Sequence, residues 1–295
     1  MRWTSRSKSI TITKSAIAVA ILFVIAPALH AQGDDILYLG NTPKTETVQA
    51  ELTDPGPVGA ETSTSLYFGQ VALGGGYRTI FSIVNTGATT VNGTLTLTGS
   101  NGVPINANLD GQVTSSLGVT VPSGGTRTII ANTATAADPL TTGWAKYQNI
   151  GGNAAGVATF EQGAGGVLAT AAGVLSSNLV TSATIPVYND LAAGRFVGFA
   201  IANPNASPVT IRLTTVNEDG SIATPAATPA QLNPLPPNSH LAIFLHQINT
   251  TQTTFRGSMV LNTQGAQGFV VVALVQNGPL LTAVPVIPEK APSVP

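Results

Sequence analysis

GGGYRTIFSIVNTG, Gly74 to Gly87, sets three glycines before an apolar and aromatic run. It has two readings, a loop that cradles a phosphate or the turn before a β-strand. A phosphate loop places its glycines between a strand and a helix, so that backbone N–H groups and the helix N-terminus face the anion. Here the glycines lead into YRTIFSIVN, which is strand material, and no Lys-Ser or Lys-Thr follows. The chain also holds a second version of the stretch, AAGRFVGFAIANPN from Ala192, in which only Gly76, as Gly194, is kept. One glycine per version asks for a positive φ or for a strand entry with no room for Cβ. The glycines read as a turn.

The match runs on through the chain. At an offset of 118, Asn85 meets Asn203, Val91 meets Val209, Leu95 meets Leu213 and Gly102 meets Gly220. At 114, Pro122 meets Pro236 and Gln162 meets Gln276, and near the ends, at 112, LATAAGV from Leu168 falls on LLTAVPV from Leu280. The order is kept and the offset drifts only through loops, which is the mark of an internal repeat. Each copy divides into roughly eight strand-length segments separated by Gly, Pro and Asn. TLTLT (94–98) and TIRLT (210–214) alternate as half-buried strands do, while FVVVALV (269–275) is apolar on both sides and reads as a central strand. NTGATTV, NPNASPV, SNGVPI and EDGSIA carry the chemistry of tight turns. The expectation is an all-β chain with two tandem immunoglobulin-like antiparallel β-sandwiches, 66–178 and 179–288. The stretch between them, LSSNLVTSA (175–183), is too short for free tumbling.

Composition bounds the rest. Of 295 residues only 8% are charged, with 31 Gly, 20 Pro and no Cys. Arg2, Arg6, Lys8 and Lys14 precede the uncharged stretch Ser15 to Leu29, and APALHAQ closes it with small residues. This is the pattern of an export signal, residues 1–31, cut after Ala31. No later apolar run approaches the ~20 residues needed to cross a bilayer, so the cut chain is not expected to be an integral membrane protein. The cut removes four of twelve basic residues and none of the thirteen acids, leaving about −5. No basic patch remains, which argues against nucleic acid as a partner. Without disulfides, the exported domains must hold by core burial alone. Residues 32–65 carry six of the thirteen acids and little periodicity, and read as an acidic flexible spacer with a possible strand at ILYL (36–39). Residues 289–295 form a Pro-rich tail.

Candidate chemistry is thin. His240 and His246 flank SHLAIFLH; on one strand they would share a face about 20 Å apart, too far for one metal ion. They read as the polar ends of a buried strand. Ser239, His240 and a nearby acid suggest a hydrolase triad, but no strained Ser elbow accompanies them. Paired carboxylates would need two acids at one end of a sheet; Asp138 sits in a loop and Glu161 near a strand end, and nothing in the sequence pairs them. NEDG (217–220) lacks the ligand series of a calcium loop. No catalytic residue, metal site or cofactor is expected. Carbohydrate binding is the better rival to simple contact. In TGWAKYQN, Trp144, Lys146 and Gln148 share a strand face and are the candidate ligand contacts, with Trp144 either open to a sugar or filling the sandwich core.

G-Y/R-x-x-x-x-x-x-N followed by a turn and V-x-x-x-L, then L/V-P-x-x-x and G/V-V-A-x-x-x-Q-x-G, recur in each copy. On these the chain resembles secreted bacterial proteins with tandem immunoglobulin-like repeats, a type associated with environmental bacteria such as acidobacteria. The resemblance implies the fold and export, and no chemistry. The missing Cys pair sets the chain apart from antibody-type sandwiches. The expected role is non-enzymatic surface contact in adhesion, matrix or envelope assembly, outside the cell, at its surface or in the periplasm. The partner is then an envelope or extracellular protein; the alternative is a polysaccharide-binding module.

Overall fold

The computed structural model describes residues 65–288, except 134–137, 151, 165, 228, 230–231 and 249–252. The export signal with its cut after Ala31, the spacer up to residue 64 and the tail 289–295 lie outside the described residues. Ser65, placed in the spacer from the sequence, opens the first strand.

The first half holds β1 (Ser65–Leu73), β2 (Tyr77–Asn85), β3 (Val91–Gly99), β4 (Ala107–Leu109), β5 (Gln112–Thr114), β6 (Ser116–Val121), β7 (Thr126–Asn132), β8 (Thr141–Ile150), β9 (Ala154–Ala164) and β10 (Val167–Leu175). They form a four-stranded sheet, β1-β8-β3-β6, and a six-stranded sheet, β10-β9-β2-β7-β4-β5. The second half holds β11 (Ser182–Asp190), β12 (Arg195–Ala202), β13 (Ile211–Asn217), β14 (Ile222–Ala227), β15 (His240–Phe244), the short α1 (Leu245–Ile248), β16 (Thr254–Thr263), β17 (Val270–Asn277), β18 (Leu280–Val284) and β19 (Ile287–Pro288). Here the path β14-β13-β16-β11 continues into β12-β17-β18 through a single pair, Asp190 and Arg195, while β15 adds to β12 and β19 to β11. Among the described residues every ladder between these strands is antiparallel. The chain is all-β, in antiparallel sheets packed face to face.

Alternation builds the cores. β2 buries every second side chain, and Phe81 meets Phe68 of β1 edge to face at 5.1 Å across the first sandwich. Ile185, Phe199, Met259, Leu261 and Phe269 fill the second core. The opening glycines are a tight turn that carries the chain from one sheet of the first half to the other. Gly75 and Gly76 have φ of 61° and 86°, as a two-residue primed turn requires, and Gly74 and Tyr77 exchange backbone bonds of 3.0 Å around them.

Two buried asparagines lock the turns that follow β2 and β12. Asn85 donates through Nδ2 to the carbonyls of Thr89 (2.7 Å) and Val121 (3.0 Å), and its Oδ1 accepts the Gly87 N–H (2.9 Å). Asn203 donates to Ser207 (2.9 Å), Leu235 (3.0 Å) and Pro236 (2.9 Å), and accepts the Asn205 N–H (3.0 Å).

Two expectations on strands change. The sequence pattern puts a strand near 231–235, but of its described residues only Leu235 pairs, by a bridge to Val209, because Pro234, Pro236 and Pro237 have no N–H to give a ladder. β14 takes that edge of β13 instead. The strand expected over 240–246 ends at Phe244, where the chain turns into α1, so His240 and His246 do not share a strand.

Candidate functional site

The most built polar cluster joins the two halves. β1 carries a bulge between Phe68 and Val71 that turns Gly69 and Gln70 toward the second half. Gly69 keeps that approach close: a Cβ would stand 3.0 Å from a Val270 methyl and 3.2 Å from a Val272 methyl of β17. Gln70 Oε1 accepts the Nε2–H of His240 at 2.8 Å. On the other side of the ring, Nδ1 lies 2.9 Å from Ser100 Oγ, and the His240 N–H donates to the Ser100 carbonyl at 3.1 Å. Ser100 Oγ is further held by the carbonyl and hydroxyl of Thr142, at 3.0 and 2.9 Å.

A serine hydroxyl on an imidazole is the start of a nucleophile relay. The geometry opposes that use here. His240 is only 4% exposed, and burial pushes its pKa down to about 3, with the backbone of Gly69 opposing weakly. A general base works best with a pKa near the working pH. The third partner is the Gln70 amide, which offers no charge to steady an imidazolium. Ser239, the serine suggested by sequence, instead closes its own turn by donating to the Pro236 carbonyl at 2.7 Å. The cluster clasps the halves together.

Beside the clasp is a partly open cleft of about 60 Å³, which Gln70, Tyr77 and Phe160 line from the first half and Phe244, Val272 and Leu281 from the second. It admits a few waters and falls well short of the ~300 Å³ at which small-molecule pockets begin. Burial raises the Tyr77 hydroxyl to about 12, so it stays protonated. Elsewhere along the joint, the Leu281 N–H donates to Thr170 Oγ1 (2.9 Å). The stretch between the halves is pinned by bridges from Ser177 to Tyr67 and from Val180 to Phe269.

The sugar-contact candidates separate. Trp144 is 5% exposed and packs with Tyr67, Ala202 and Val270, and its indole N–H donates to the Asn238 carbonyl at 2.9 Å. It is thus covered by the second half, and fills neither a sugar face nor the sandwich core. Lys146 is half-buried and Gln148 exposed on the same face. Trp144→Phe, which loses the N–H and the five-membered ring of the indole, is expected to cost at least about 1 kcal/mol, a fall of about 2–4 °C or more in Tm by calorimetry. An unchanged Tm would remove the Asn238 bond from the joint.

The acids lie apart. Glu161 pairs with Arg78 at 2.6 Å and Asp110 with Arg127 at 2.7 Å. In NEDG, Asp219 Oδ1 accepts from the N–H and hydroxyl of Ser221, which holds its pKa down and makes an ordinary turn. Among the described residues no three His, Cys, Asp or Glu groups gather as metal ligands, and no helix is long and apolar enough to cross a membrane. Sequence reading passed over Gln70 and Ser100. The one available signal was asymmetry: when the chain is laid on itself at an offset of 114, His240 falls on Thr126.

Fold and joint define an all-β protein of paired antiparallel sheets. No family model, curated protein or solved structure matches the chain.

Proposed function

We propose that this chain is an exported, non-enzymatic protein made of two immunoglobulin-like β-sandwich copies, 66–178 and 179–288, that acts by surface contact in adhesion, matrix or envelope assembly. The observation that carries the reading is the clasp, because it makes one stiff body from two sandwiches and uses its only serine–histidine contact among the described residues for cohesion. Strand order supports the two copies: β1-β8-β3 corresponds to β11-β16-β13, and β10-β9-β2-β7 to β18-β17-β12-β15. Asn85 and Asn203 support it further by making matching bonds at matching separations. In β17 the register differs from the sequence overlay by one. Phe81 stands opposite Ala158 and Phe199 opposite Ala273, a separation of 115 and not 114. Such a slip exchanges the two faces of a strand.

The test compares residues 32–295 with 65–295 in pull-downs on envelope proteins and on insoluble polysaccharides. Capture of a defined envelope protein, weakened by losing 32–64, is the expected result. Equal retention of both forms on a polysaccharide alone would favour the second reading, a polysaccharide-binding module. One observation speaks for that reading: Tyr188 is exposed on a sheet face with two guanidinium groups upon it.

A further inference from the structure

We propose that Tyr188, Arg195 and Arg256 bind the carboxylate groups of a uronic-acid polysaccharide. The proposal rests on the polysaccharide-binding reading and gives it a place and a ligand class. Tyr188, 38% exposed on β11, stands directly opposite Arg256 of β16. The Arg256 guanidinium lies 4.4 Å from the centre of the Tyr188 ring and that of Arg195 lies 4.8 Å from it. The two cations are therefore within about 9 Å of each other.

Both are held in place by their own bonds. Arg256 Nη2 donates to the Tyr188 hydroxyl at 3.2 Å, and Arg195 Nε donates to the Tyr188 carbonyl at 3.0 Å. Nη1 and Nη2 of Arg195, and Nε and Nη1 of Arg256, remain for a ligand. Arg78 and Arg127 are neutralised by carboxylates, whereas Arg195 and Arg256 have none within 4 Å among the described residues. Acids are not distant. Asp190 is the strand partner of Arg195, yet its Oδ1 accepts the Ala193 N–H at 3.2 Å; Glu218 follows Asn217, the partner of Gly257. Two fixed, unpaired guanidiniums in a chain of few cations make a preorganised anion site.

A guanidinium takes a carboxylate through two parallel N–H···O bonds. The site lies on an open sheet face, where Pro186 and Ser258 form the next outward pair along the strands. An open face suits a polymer laid across it. A uronic-acid chain repeats one carboxylate per sugar, so neighbouring sugars can fill both guanidiniums.

The experiment is binding of the purified protein to immobilised polygalacturonate, with cellulose and chitin as neutral surfaces and polyglutamate as an acidic peptide. We expect retention on polygalacturonate, at least tenfold weaker binding for Arg256→Gln, partial recovery for Arg256→Lys, and near-unchanged binding for Arg127→Gln, which removes the same charge elsewhere. Equal weakening by Arg256→Gln and Arg127→Gln would reduce the effect to net charge and overturn the site. Equal retention on polyglutamate would overturn the glycan. Retention on cellulose or chitin without polygalacturonate would overturn the site and leave the polysaccharide reading standing; retention on none would overturn both. Melting curves accompany each variant, and if Arg256→Gln does not fold, Arg256→Lys against Arg127→Lys carries the comparison.

Discussion

Asn203→Ala is expected to cost about 3 kcal/mol of stability, and Asn85→Ala a similar amount. Each side chain is fully buried and ties a turn to a neighbouring segment by bonds to its carbonyls. Denaturant unfolding measures the loss as a lower midpoint with an unchanged slope. Asn203→Asp sharpens the test, because it sets a carboxylate against the Ser207, Leu235 and Pro236 carbonyls. It should be worse than alanine at pH 7, and the gap should close in acid as the new carboxyl takes up a proton. If alanine and aspartate cost the same at both pH values, the amide N–H groups are not what holds these turns.

Acid should loosen the whole molecule through His240. Its folded pKa, about 3, lies below the ordinary imidazole value of 6.5. Between those values the unfolded chain binds a proton that the folded chain refuses, so stability falls as pH drops through that window and is complete above about pH 7. At pH 5 the loss from this one group is about 2 kcal/mol. His240→Gln, which keeps one donor and one acceptor, should be weaker than the native protein at pH 7 but lose about 2 kcal/mol less between pH 7 and pH 5. Equal losses would place the acid sensitivity elsewhere.

The fold was legible wherever a pattern with period two met a turn. TLTLT, YRTIFSIVN and the turn glycines announced themselves, since alternation and positive φ are local properties. What stayed hidden was non-local. The β1 bulge leaves no mark in the hydrophobic pattern, yet it aims Gln70 at His240. Trp144 offered sugar or core, and its place against the second half depends on a neighbour that its own strand does not encode. FVVVALV was apolar on both faces because Val271, Ala273 and Val275 enter the second core while Val270 and Val272 meet the first half. On the two-copy reading, the one-residue difference in this strand has the same cause, since a run apolar on both faces gives no parity to align by. The Arg195 and Arg256 pair was invisible because Arg195 and Tyr188 come together only at a corner between sheets.

The β1 bulge and Trp144 also set a limit on valency. A third sandwich could join the second as the second joins the first only if the second offered the same landing. On the two-copy reading it does not: β11 pairs with β16 in unbroken register, with no bulge to turn a glutamine outward. At the position matching Trp144 stands Ser258, small and hydroxylated. On that reading the joint is used once, and a further sandwich would have to meet the second through a different kind of contact.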